Sequence, residues 1–189
     1  QQGTLTVSST EDGSLLHESA VEDTYDVNDP VDLDDANPHP DFRFIGWRKD
    51  GTGEMISDSV IRIEPGSNAY TAVFGKQLKT SAADHGSLRN DLDGYYERGS
   101  SVNLNDALPT GADGYELDCW REYDGTQLLE YGGYGRIVTL RDNKPIVTIG
   151  GQNIFRAFFK VAHYTISYNL NDGTIDTANP STYTYFDDP

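Results

Sequence analysis

The stretch Phe42-Arg43-Phe44-Ile45-Gly46-Trp47-Arg48 runs into the punctuation Lys49-Asp50-Gly51. Phe42 and Phe44 alternate with Arg43, Ile45 and Trp47, and a period of two is the signature of a half-buried strand. The Asp-Gly at its end is a turn signal. The same grammar returns downstream as Tyr115-Glu116-Leu117-Asp118-Cys119-Trp120-Arg121, followed by Asp124-Gly125-Thr126. Upstream, Gly13-Ser14-Leu15 returns as Gly86-Ser87-Leu88. Val31-Asp32-Leu33-Asp34-Asp35-Ala36, with Pro38 beyond, returns as Val102-Asn103-Leu104-Asn105-Asp106-Ala107, with Pro109 beyond. Asn68-Ala69-Tyr70-Thr71-Ala72-Val73-Phe74 returns as Asn153-Ile154-Phe155-Arg156-Ala157-Phe158-Phe159. The second copy is longer, and its extra residues fall in the Gly- and Tyr-rich segment Leu128–Gly151, where a loop absorbs insertions. Self-similarity of this kind is the sequence sign of tandem units.

Other short runs carry the same period: Leu5 and Val7, Val31 and Leu33, Ile61 and Ile63, then Tyr70, Ala72 and Phe74. Helical spacing is nearly absent. The fold expected is mainly β, in small domains of about five or six short strands each. The first covers residues 1–75 and the second 76–161. A third opens at Tyr164-Thr165-Ile166-Ser167-Tyr168 and is incomplete over 162–189. Gly75-Lys76-Gln77 and Lys160-Val161-Ala162 are expected as the short linkers.

Charge narrows the function classes. The 189 residues hold 14 Lys+Arg against 31 Asp+Glu, a formal net charge of −17. Residues 1–41 contain no Lys or Arg at all. Nucleic acid and anionic membrane surfaces need clustered bases, so neither is an expected partner. No run approaches the ~20 apolar residues of a membrane span, so no membrane insertion is expected. Cys119 is the one cysteine, which excludes a disulfide within the chain. The chain starts at Gln1 rather than Met, and is expected to be a processed product or a fragment.

Taken in order, the motifs resemble the B-repeat first described in the Listeria internalins, the Listeria–Bacteroides repeat family. Phe42–Trp47 with Tyr70–Phe74 carry the resemblance in the first unit, and Tyr115–Trp120 with Phe155–Phe159 in the second. Tyr164–Thr174 and Asn179-Pro180-Ser181-Thr182-Tyr183 carry it in the third. Cys119 stands where that family has Gly, and the long Gly/Tyr segment of the second unit is also atypical. The resemblance implies tandem β-grasp-like repeat domains on a secreted or cell-surface bacterial protein, with neighbouring repeats as partners. It brings no active site.

Each candidate residue has a plain structural reading beside a functional one. Trp47 and Trp120 are expected as anchors of a small sheet, with sugar-stacking platforms as the alternative. Phe42, Phe44, Tyr70, Phe74, Tyr115, Leu117, Phe155 and Phe159 are expected as structural apolar positions. The segment Leu128-Leu129-Glu130-Tyr131-Gly132-Gly133-Tyr134-Gly135 is the candidate binding loop, with Tyr131 and Tyr134 joined by Tyr123 as ligand contacts. Asp32 and Asp34 lie two apart on one strand face and are a candidate Ca²⁺ site, with a solvated acidic face as the alternative. His17, His39, His85 and His163 lack metal spacing. No nucleophile elbow or cofactor motif is present, so neither catalysis nor a cofactor is expected. The expected function is a spacer or presentation stalk with adhesive contacts. The alternative is a module recognising glycan or host protein through the Tyr/Gly loop.

Overall fold

A computed structural model of the chain describes residues 1–16, 23–33, 35–123, 135–174 and 180–187. The fold is mainly β and consists of several small sheets. The first strands are β1 (Gln2–Ser9), β2 (Gly13–Leu15), β3 (Asp23–Asp26), β4 (Pro30–Asp32), β5 (Ala36–Pro38), β6 (Phe42–Lys49), β7 (Glu54–Ile56) and β8 (Val60–Arg62). They lead to a long strand, β9 (Gly66–Ala82). After it come β10 (Gly86–Leu88), β11 (Gly94–Glu97), β12 (Ser101–Asn103), a 3-10 turn (Leu104–Ala107), β13 (Pro109–Gly111) and β14 (Tyr115–Tyr123). The chain closes with β15 (Arg136–Ile137), β16 (Ile146–Thr148), β17 (Ile154–Val161), β18 (His163–Thr165) and β19 (Thr182–Thr184).

Two compact units result. The first comprises Gln1–Leu78, Asp93–Val102 and Thr148–Gly151, and the second Lys79–Leu92, Asn103–Val147 and Gln152–Pro189.

In the first unit β1 runs parallel to β9, from Gly3↔Gly66 to Ser9↔Ala72. β3 extends the sheet beyond β1, and β6 pairs antiparallel on the other side of β9. β7 folds back on β6 through a turn in which Gly51 and Gly53 hold φ of 85° and 74°, a region that favours glycine. The alternating residues point inward together: Leu5, Leu15, Leu33, Ile61, Ile63, Tyr70, Ala72 and Phe74 form one core with Trp47.

The position of Trp47 departs from strict alternation. Phe44 and Trp47 are three apart, so a regular strand would send them to opposite faces. The ladder shifts between Phe44 and Gly46, with Phe44 opposite Phe74 and Gly46 opposite Val73. This bulge inserts one residue and reverses the parity of the rest of the strand. Trp47 therefore joins Phe44 in the core, edge-on with ring centroids 5.5 Å apart. Gly46 carries φ of 146°, and an added Cβ would sit 2.9 Å from the Ile56 carbonyl oxygen. The glycine before the tryptophan is thus what this backbone angle and the close approach of β7 require; the second unit forms its bulge with Cys119 at that position. Burying an indole of ~150–250 Å², at ~25 cal/mol per Å², contributes about 4–6 kcal/mol before ordering entropy is subtracted.

The second unit builds comparable pairings from its own residues. Lys79–Ala82 of β9 pair in parallel with Ile154–Ala157 of β17. β14 pairs antiparallel with β17, and its ladder shifts between Leu117 and Cys119, placing Trp120 opposite Ala157. In the first unit Trp47 lies opposite Ala72. β10 pairs with β13 here as β2 pairs with β5 there. The strand expected over Val102–Leu104 stops at Asn103, whose side chain accepts the Asn105 N–H and opens the 3-10 turn. Trp120 Nε1–H donates to Asn105 Oδ1 on that turn at 3.1 Å.

Neither expected linker is a loop. Gly75, Lys76 and Gln77 lie within β9, between Phe42–Arg43 of β6 and Tyr95–Glu97 of β11. A Cβ on Gly75 would meet Ile45 Cγ2 at 2.9 Å and the Tyr96 nitrogen at 3.0 Å. This glycine serves close strand approach rather than flexibility. Arg43, opposite Gly75, lies 5.5 Å from the centroid of the Tyr95 ring. Lys160 and Val161 belong to β17, and buried Ala162 donates its N–H to the Gly114 carbonyl.

Candidate functional site

The two tryptophans are core residues, Trp47 at 2% and Trp120 at 3% exposure. Rings buried to that degree offer no face to a sugar. Tyr70, Phe74 and Phe155 are buried as well, while Phe42, Phe44, Tyr115, Leu117 and Phe159 are half-buried. Tyr123, expected as a ligand contact, is buried at 7% exposure at the end of β14. Its partners in the expected binding loop, Tyr131 and Tyr134, lie outside the described residues. Asp32 is exposed on β4, and Asp34 also lies outside the described residues. Among the described residues no group of three His, Cys, Asp or Glu side chains is placed to hold a metal ion. Nor is any helix among them long and apolar enough to cross a membrane.

The side chains that the fold does bring together are others. In the first unit Arg98 reaches the buried carboxylate of Asp12 at 2.7 Å and Glu11 at 3.3 Å. The same guanidinium lies 5.0 Å from the centroid of the Phe42 ring. Asn68 is completely buried and ties three backbone segments together. It accepts the Glu64 N–H at 2.9 Å, and its amide donates to the carbonyls of Thr4, Glu64 and Gly66. Lys49 is hydrogen-bonded to Glu64, which raises its pKa. Burial raises the pKa of Tyr25, and neighbouring Asp23 adds to it.

In the second unit the notable grouping is aromatic. His85 stacks flat on Tyr115 with centroids 4.2 Å apart. Tyr115 meets the edge of Phe186, and Phe186 meets the edge of Tyr185. Tyr164 and Tyr183 stack across the β18–β19 hairpin. Nothing in the sequence singles out Tyr185 and Phe186, because exposure of a ring depends on what packs over it. Asn68 carried a readable signal: it recurs as Asn153 at the head of the same block, and Asn153 is buried too.

No protein-family model, curated protein or solved structure matches the chain.

Proposed function

We propose that the chain is a non-catalytic repeat segment of a secreted or cell-surface bacterial protein. It acts as a spacer that presents neighbouring modules, with adhesive contacts as its second task. In this reading the chain consists of tandem β-grasp-like domains of internalin B-repeat type, with a third beginning near Tyr164.

One observation supports the reading above the others. The residues that recur in the sequence are occupied in building the sheets. Trp47 lies opposite Ala72 and Trp120 opposite Ala157, each just beyond a bulge in its strand. An added Cβ on Gly13 would strike the Phe74 ring, and one on Gly86 the Phe159 ring. Recurrence spent on packing, with charge free to vary on the surface, is what a spacer needs. The acidic surface suits solubility in a crowded cell envelope.

Labelling of intact cells with antibody against the chain tests the location, and labelling that appears only after lysis would overturn it. Exchanging the segment for an unrelated β array of equal length tests the role. Function of the neighbouring module should survive the exchange; loss that equal length does not restore would refute a spacer.

A further inference from the structure

The β18–β19 hairpin and the turn after it carry rings that the described residues leave exposed. Tyr164, Tyr183, Tyr185 and Phe186 are 43%, 46%, 59% and 54% exposed. They are held in place rather than splayed. Tyr164 stacks on Tyr183 at 5.1 Å, and Phe186 stands edge-on to Tyr185 and to Tyr115, at 5.4 Å in each case. The Tyr168 hydroxyl donates to the Pro180 carbonyl at 2.8 Å, and the Thr184 N–H donates to the Asp187 carboxylate. Clustered exposed apolar surface of this kind marks an interaction site.

The chain itself shows what covers such rings. Arg98 and Lys76 lie over Phe42 at 5.0 and 5.6 Å from its centroid. Arg43 lies over Tyr95 at 5.5 Å, and Arg121 over Phe158 at 4.9 Å. The negative ring face attracts each cation. From Val161 to Pro189 the sequence contains no Lys or Arg, yet it holds Asp172, Asp176, Asp187 and Asp188. The hairpin therefore has the ring faces and the carboxylates without the cation. A second copy of the chain is a poor occupant, since both copies would carry a net charge of −17.

We propose that this hairpin surface docks a basic peptide segment of a partner protein. Arg or Lys side chains lie on Tyr164, Tyr183, Tyr185 and Phe186, and Asp187, next to Phe186, balances their charge. The site differs from the Tyr/Gly loop and does not depend on the spacer role.

Fluorescence anisotropy with a labelled peptide of alternating Arg and Gly, titrated with the full chain at about 0.15 M salt, tests the assignment. Saturable binding is expected. Tyr164→Ser with Tyr183→Ser should weaken it about tenfold or more. Tyr185→Leu with Phe186→Leu keeps apolar bulk and removes the ring faces, and should weaken it about as much. Asp26→Asn with Asp29→Asn removes the same charge from the first unit as a two-carboxylate loss would remove here, and should leave the affinity within about twofold. Near-ultraviolet circular dichroism confirms that each variant is folded. Four results would overturn the proposal: no saturation; equal weakening in all three variants, which is diffuse attraction to an acidic chain; competition by a neutral oligosaccharide; or a dimer that the ring variants dissolve.

Discussion

Replacing Asn68 tests the architecture of the first unit at a single buried amide. Asn68→Ala removes one acceptor and one amide donor. The Glu64 N–H loses its 2.9 Å partner, and the Thr4 carbonyl loses a donor at 3.1 Å. The carbonyls of Glu64 and Gly66 belong to exposed residues, so water replaces much of what they lose. The poorly solvated Thr4 carbonyl at about 1–2 kcal/mol and the partly solvated Glu64 N–H at about 0.5–1 kcal/mol give a cost of about 1.5–3 kcal/mol. Asn68→Asp is the sharper variant. It keeps the acceptor for Glu64 but turns a second oxygen toward the carbonyls of Thr4, Glu64 and Gly66. A buried carboxylate facing carbonyl oxygens costs more than a missing amide, so Asp should destabilise more than Ala despite its closer shape. Urea and thermal denaturation followed by fluorescence read both variants against the parent, and Asn68→Ala should lower the melting temperature by on the order of 5–15 °C. Better tolerance of Asp than of Ala, or a cost for Ala below about 0.5 kcal/mol, would refute this role for the amide.

Gly13→Ala and Gly86→Ala should separate, because the Phe74 ring behind Gly13 is fully buried whereas the Phe159 ring behind Gly86 is only half-buried and has room to move. Gly13→Ala should cost about 2–3 kcal/mol and Gly86→Ala about 1 kcal/mol by chemical denaturation, and equal costs would contradict the packing difference. Arg98→Met should cost about 1–2 kcal/mol, because it strands the buried Asp12 carboxylate while Arg98 itself is partly solvated. Adding Asp12→Asn should recover much of that loss, and a double variant no better than the single would sink the pairing. The raised pKa values of Tyr25 and Lys49 mean that the folded chain holds both protons more tightly than the unfolded one. Their stabilisation is complete below the unfolded values of about 10.0 and 10.4 and is lost as pH rises through the folded values. The melting temperature should fall above about pH 10, and the pair Tyr25→Phe with Lys49→Met should fall less steeply; parallel curves would refute the assignment.

Strand content was legible because parity is local: Leu5, Ile61, Ile63 and Tyr70 face the core as their alternation implies. Parity failed at Trp47, since a bulge is a decision taken by two strands together. Gly46 carried the hint, a glycine inside an apolar strand, but its φ and the approach of Ile56 are tertiary facts. Gly75 read as a linker for the same reason, since only the neighbouring strands reveal why no side chain fits. The binding candidates were chosen by composition, favouring a Tyr/Gly-rich run, and Tyr123 at its edge is buried. Tyr185 and Phe186 lie in an unremarkable Thr-Tyr-Phe-Asp stretch, and their exposure, 59% and 54%, is a tertiary fact.

The long strand β9 has a consequence for how such a gene can change length. Residues Gly3–Ser9 of β1 fix the facing of Gly66–Ala72, and Ile154–Ala157 of β17 fix that of Lys79–Ala82. All of these positions lie on one unbroken strand. Inserting or deleting a single codon between them would rotate every later side chain of β9 to the opposite face. Length changes that keep strand parity should therefore be tolerated here, and single-residue slips should disrupt the later half of the strand. The surplus length of the second copy lies instead within Leu128–Gly151, outside β9.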